Sequence, residues 1–403
     1  METRNILIII AAVAALGILL YFATTRARAA AGGVGGTTTP GQLIYSTVLQ
    51  QSLPGSVFPN ARYYLPNSNQ IVFQLLPGST GDYAVLINSD GSVTVLPDNT
   101  TIMPNTDYSN ITGYSTIPGL IAFGGGEEAP NPWSPCAAPC APYVAFYTGN
   151  TINLVKLPGG SCDNMNASAI VRGNNNDIVV IGGADPGSTT GSTGYVIFTP
   201  SLTASLYGTI SMNDSAGNTL YLYRKPKITL NGKVYMIAKL NGEDTAAIEA
   251  ISLQDLYTNG NNNANTLCGS SGNPITPQYL TNIGDFYPNG VNPIYTDGTN
   301  IYSVIYDTSG NTVLLTYYPS SNTYTRKAIL NTNSNVYPAI ANGNVYVAVQ
   351  QSNQFTVYKF DLSGNLLGQK TYSGIGFVDM NGYIVQFTNG FNAGSKINVY
   401  TPL

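Results

Sequence analysis

"YPAIANGNVYVAVQQSNQFTVYKFDLSGNLLGQKTY", residues 337–372, divides at its turn signals into four short strands. They are expected over Val336 to Ile340, Val345 to Gln350, Phe355 to Asp361 and Asn365 to Tyr372. Asn342-Gly343 is a two-residue hairpin signal, because Asn and Gly tolerate the positive φ such turns require, and Leu362-Ser363-Gly364 suits a longer turn. The unit reads as a four-stranded antiparallel meander.

Its second hairpin recurs as "NGKVYMIAKL" from Asn231, "DGTNIYSVIYD" from Asp297 and "NGYIVQFTNG" from Asn381, with a looser copy, "NNNDIVVIGGAD", from Asn174. From Gly232 onward the turn glycines stand 66, 45 and 39 residues apart, bracketing the length of a propeller blade. "NQIVFQLL" from Asn69 and "GLIAFGGG" from Gly119 keep the strand without the turn. These copies predict an all-β chain: a β-propeller of seven four-stranded blades over 41–403, with "QLIYSTVLQQ" from Gln42 completing the last blade. A lone four-stranded sheet cannot bury both faces, so the units gain a core by stacking into a ring. The competing architectures are a β-sandwich and a row of small β domains.

The strand cores resemble known propeller repeats. "LIAFGGG" and "DIVVIGG" end in the double glycine of kelch repeats, and "AAIEAISLQDL" from Ala246 is similar to the third-strand phrase of quinoprotein repeats. Both families carry Trp in their blades, whereas this chain has only Trp133, so the resemblance implies the shape and no quinone.

"ILIIIAAVAALGILLYFA", residues 6–23, is uncharged and long enough as a helix to reach about 27 Å, which predicts a transmembrane anchor and a lipid-bilayer partner over 6–23. A cleaved secretory signal is the other reading, with Ala27-Arg28-Ala29 as its cleavage pattern. Residues 24–40 read as a flexible Gly/Ala/Thr tether. Arg26 and Arg28 favour a cytoplasmic ring. The composition points outward: 9% of residues are charged and there is no His, against about 25% charged in an ordinary domain. Such a surface limits self-repulsion in acid, and the Asn, Tyr and Thr richness resembles membrane-anchored surface and virion proteins of thermoacidophilic archaea and their viruses.

Cys136, Cys140, Cys162 and Cys268 are expected to form disulfides in an extracellular compartment, the alternative being an all-Cys zinc site of odd spacing. Asn99, Asn110, Asn166 and Asn213 lie in N-x-S/T sequons and are candidate N-glycosylation sites. The lack of His removes Ser-His-Asp, Cys-His and His-metal chemistry. No metal or cofactor is expected, and the formal charge of -4 argues against nucleic acid.

Two readings of function remain. The first is a non-catalytic, membrane-anchored surface or virion protein that displays its propeller for binding, attachment or assembly, to a surface protein, a glycan, further copies or coat proteins. Twenty-nine Tyr supply amphipathic contact area for it, and Trp133, Tyr143, Glu127 and Glu128, on the longest irregular insertion, are the candidate contacts. The second is an extracellular carbohydrate-active hydrolase, which needs two facing carboxyl groups; Glu127, Glu128, Asp185, Glu243, Asp244 and Asp285 are the candidates in loops. A pocket lined by facing carboxyls favours the hydrolase. One lined by Asn and Tyr favours binding.

Overall fold

The strand Asn344–Gln350 buries five consecutive residues, Val345 to Val349, so both of its faces are covered. Val345, Val347 and Val349 join a core with Tyr302, Val304 and Leu314 of the preceding sheet. Tyr346 and Ala348, pointing the other way, join a core with Val378 and Ile384 of the next. A strand buried on both faces between two neighbours is what stacking around a ring requires.

In the computed structural model the described residues are 39–53, 62–75, 83–96, 109–127, 143–148, 151–157, 165–184, 192–222, 227–241, 245–263, 274–285, 292–331 and 335–403. The chain divides into two units, 1–42 and 43–403, and the propeller is the second. Its described strands form seven antiparallel sheets. In chain order blades 1 to 6 occupy 62–96, 109–156, 165–211, 220–285, 294–331 and 335–373. Blade 4 has five strands, because Leu220–Tyr221 and Lys227–Leu230 share one edge of Lys233–Leu240. Blade 7 takes three strands from 375–400 and its outermost from Leu43–Val48, which pairs with Lys396–Tyr400.

That closing pair is secured beyond its ladder. Ser46, Asn398, Gln386 and Gly376 form one row across the four strands of blade 7. Ser46 Oγ donates to Asn398 Oδ1 at 2.9 Å, Asn398 Nδ2 to Gln386 Oε1 at 2.8 Å, and Gln386 Nε2 to the Ser373 carbonyl of blade 6 at 2.7 Å. A side chain at Gly376 would collide with Phe355, which fills that end of the row. Leu49 and Leu53 then enter the core shared by blades 7 and 1. Beside them, Gly91 has a φ of 85°, and a Cβ there would stand 1.9 Å from the Val48 carbonyl oxygen.

A turn chemistry beyond Asn-Gly recurs around the ring. In Asp214–Asn218, Asp307–Asn311 and Asp361–Asn365 the sequence is Asp-x-x-Gly-Asn. One Asp oxygen accepts two backbone N–H groups, two and four residues on, and the other accepts the Asn Nδ2, all at 2.8 to 3.0 Å. The central Gly has φ between 72° and 87°, which a side chain would disfavour.

Three expectations are corrected. Among the described residues no helix is long and apolar enough to cross a membrane. The α-helix there, Leu253–Asn259, is seven residues long and spans about 10 Å, a third of a bilayer core. The predicted anchor at 6–23 lies outside the described residues, so the bilayer partnership and the externally displayed, membrane-anchored ring lose the element they rested on. No disulfide is found among the described residues, and Cys136, Cys140, Cys162 and Cys268 all lie outside them. The membrane-anchored external location, argued from the anchor and the charge-poor composition, is not supported, because no described helix can cross a membrane.

Candidate functional site

The innermost strands of the seven blades are Arg62–Leu65, Ser109–Tyr114, Met165–Arg172, Lys227–Leu230, Ile294–Thr296, Asn335–Ala341 and Ile375–Val378. Where these strands turn back into the second strands, the ring encloses a cavity of about 420 Å³ to which all seven blades contribute. Its wall alternates in chemistry. Ile117, Ile121, Ile228, Ile294 and Ile340 supply apolar surface, while Thr229, Thr296, Asn342 and Asn381 supply amide and hydroxyl groups. Asn342 and Asn381 are exposed at the rim. Among the described residues lining the cavity Arg172 is the one that carries a charge, and its Nη1 donates to the Asn176 carbonyl at 3.2 Å. Partial burial lowers its pKa.

Tyr63 and Tyr114, 6% and 4% exposed, line the same cavity with their hydroxyls committed to the backbone. Tyr63 Oη donates to the Ser115 carbonyl at 3.2 Å and Tyr114 Oη to the Asn292 carbonyl at 3.1 Å. Burial raises both phenol pKa values, so these rings stay neutral.

One residue further from the mouth, Arg62 is 3% exposed. Its Nε donates to the Val378 carbonyl at 2.7 Å and Nη2 to the Pro338 carbonyl at 2.5 Å, so a single side chain ties blade 1 to blades 7 and 6. The guanidinium lies 5.8 Å from the centre of the Phe377 ring. Burial brings its pKa down to about 10, against the raising influence of Tyr306 and Asp379.

Asp379 is fully buried at the turn of blade 7. One oxygen accepts from the N–H groups of Asn381 and Tyr383 at 3.0 and 2.7 Å, and the other accepts from the Tyr64 N–H of blade 1 at 2.7 Å. Here Tyr383 replaces the Asn of the Asp-x-x-Gly-Asn turn, which frees an oxygen to reach across the ring seam. Burial pushes the carboxyl up to about 7, although three N–H donors and Arg62 pull it down. This layer is structural: it sets the inner end of the cavity and fixes the closure.

The candidate residues from sequence lie elsewhere or outside the described residues. Trp133, Glu128, Asn99, Asp185, Glu243 and Asp244 are outside them. Glu127 ends the strand Ile121–Glu127, about 20 Å along from the cavity, where its backbone pairs with Ser109. Tyr143 begins the next strand, pairing with Gly125 and Lys156. Asp285 ends the outer strand of blade 4 and accepts the Thr245 hydroxyl. Asn110 and Asn166 lie within inner strands, and Asn213 is exposed, accepting from Thr219 Oγ1 at 3.3 Å. Part of the signal lay in the repeat: Asn342 and Asn381, from two of the turns that mark the blades, and Thr296, beside a third, line the cavity.

No family model and no curated protein matches the chain. Among solved structures it is similar to a chain of the mitotic checkpoint complex, at 8% identity and a TM-score of 0.46, covering 91% of this chain and 94% of that one. A prolyl endopeptidase structure matches at 10% identity and a TM-score of 0.41 over 90% of this chain, and prolyl oligopeptidase B from Galerina marginata at 9% and 0.41 over 81%. The chain spans about half the length of those two peptidases, covering 49% and 46% of them. Likeness this remote carries no functional argument. The comparisons also lend nothing to the compositional resemblance to archaeal and viral surface proteins, which goes no further.

Proposed function

We propose that this propeller is a non-catalytic binding module that takes a small polyhydroxylated ligand, of carbohydrate class, into the mouth of its channel. The observation that carries the reading is the cavity itself. Its volume of about 420 Å³ suits a small ligand, and all seven blades contribute to it. Isoleucine surface and the Tyr63 and Tyr114 rings suit the C–H faces of a sugar, and the rim amides and hydroxyls suit its oxygens. The hydrolase alternative shares this scaffold and would need its two carboxyl groups from other residues. No carboxyl side chain lines the cavity among the described residues, so the acid and base of a glycosidase are not brought to it.

Calorimetry against a panel of neutral mono- and oligosaccharides tests the reading. Asn342→Ala and Asn381→Ala should each weaken binding about 5- to 10-fold, the loss of one hydrogen bond. Gln369→Ala, exposed on an outer strand, should leave affinity unchanged. Absence of binding across the panel, or equal affinity in all three variants, contradicts it.

A further inference from the structure

The third strand of blade 4 carries a carboxyl group into the apolar seam with blade 3. Glu249 pairs with Met236 on one side and Tyr279 on the other, and Met236 belongs to the core between these blades, so Glu249 shares the face turned toward blade 3. It is 0% exposed, and no donor reaches either carboxyl oxygen. Its polar neighbour is a second carboxyl group, Asp214, 5% exposed in the turn that leads from blade 3 into blade 4. Asp214 accepts the N–H groups of Ala216 and Asn218 on one oxygen and Asn218 Nδ2 on the other, each at 2.8 Å, which leaves the second oxygen room for one more donor. Ser215 holds this turn to the outer strand of blade 4: its N–H donates to the Pro277 carbonyl and its Oγ accepts the Tyr279 N–H.

Two carboxyl groups in contact and away from water cannot both be ionised, and they attract only through a proton between them. We propose that Glu249 and Asp214 share one proton in the folded protein, forming a lock between blade 4 and the turn that enters it, which loosens when alkali removes the proton. Glu249 is the donor, since both of its oxygens are buried and no other group reaches them.

Three further polar groups face the same seam. Lys227 lies in the same cross-strand row, two strands from Glu249, and its Nζ donates to the Leu222 carbonyl. Tyr279, on the outer strand, is the cross-strand partner. From blade 3, Tyr195 enters the seam with its hydroxyl donated to the Leu256 carbonyl. Burial first, then the charge and hydrogen bond of Asp214, push Glu249 from 4.5 up to about 9. Between those values the folded chain holds a proton that the unfolded chain has released. Stability from this pair is therefore full below about pH 4.5, falls as pH rises, and levels off above about 9.

Asp379 gives a similar slope only below about pH 7, so the interval from pH 7 to 9 isolates the pair. Unfolding the wild type there should release about one proton, and its denaturation midpoint should fall with pH. Glu249→Gln, whose amide N–H takes the place of the shared proton, should release about one fewer and keep a flat midpoint. Infrared spectra of the folded wild type need no variant: a carboxylic-acid C=O band should persist at pH 8 and vanish toward pH 10. Absence of that band at pH 8, or the same proton release and pH slope in wild type and Glu249→Gln, overturns the proposal.

Discussion

Deleting Leu43–Val48 should lower the melting temperature by roughly 10 °C, far more than loss of an exposed terminal segment would. The deletion removes the ladder to Lys396–Tyr400, and about five net hydrogen bonds at about 1 kcal/mol each go with it. Ser46 leaves Asn398 without its donor, and that gap opens onto the Gln386 row joining blade 7 to blade 6. Leu49 and Leu53, fully and almost fully buried between blades 7 and 1, also lose the strand that places them. Calorimetric scans of the two proteins make the comparison. A shift of under 2 °C would mean that the ring does not depend on its closing strand.

Replacing Arg62 with Leu should cost about 3–5 kcal/mol, the usual penalty for breaking a buried charged partnership from one side. Two carbonyls, of Val378 and Pro338, lose their donor, and Asp379 loses the cation that offsets its burial. The deficit should depend on pH in a definite direction. Asp379 sits near pKa 7 in the wild type and would rise further without Arg62. At pH 8 the variant must then bury an uncompensated carboxylate or take up a proton to avoid it, whereas at pH 5 the carboxyl is already neutral. Urea unfolding should show a larger loss at pH 8 than at pH 5. A loss under about 1 kcal/mol, equal at both values, would show that the Arg62 layer does not hold the ring.

The propeller was legible because its signals are local. Asn-Gly and Asp-Gly turns force tight reversals, and runs such as Val345 to Val349 can be satisfied only by a sheet covered on both sides. The closing strand was legible for a related reason, since 383–401 lacked a partner that 42–51 could supply. The cavity was harder to read. It consists of turns brought together from seven blades, up to 318 residues apart in the case of Tyr63 and Asn381, and no one turn announces its neighbours. Trp133, Glu127 and Glu128 are more conspicuous in a chain poor in Trp and charge, yet Glu127 stands at the far end of its strand. The buried pair Asp214 and Glu249 gave no sign at all. Asp214 reads as a turn residue and Glu249 as the polar step of an alternating strand, and only the packing of that turn on blade 4 brings them into contact.

Isoleucine methyl NMR tests the central claim most directly, because five isoleucines line the mouth of the channel. Titration with the best-binding sugar should move the Cδ1 resonances of Ile117, Ile121, Ile228, Ile294 and Ile340, while Ile181, Ile251 and Ile397, buried between blades, stay in place. Shifts confined to isoleucines outside the first group, with the channel set unmoved at saturation, would contradict binding at the mouth.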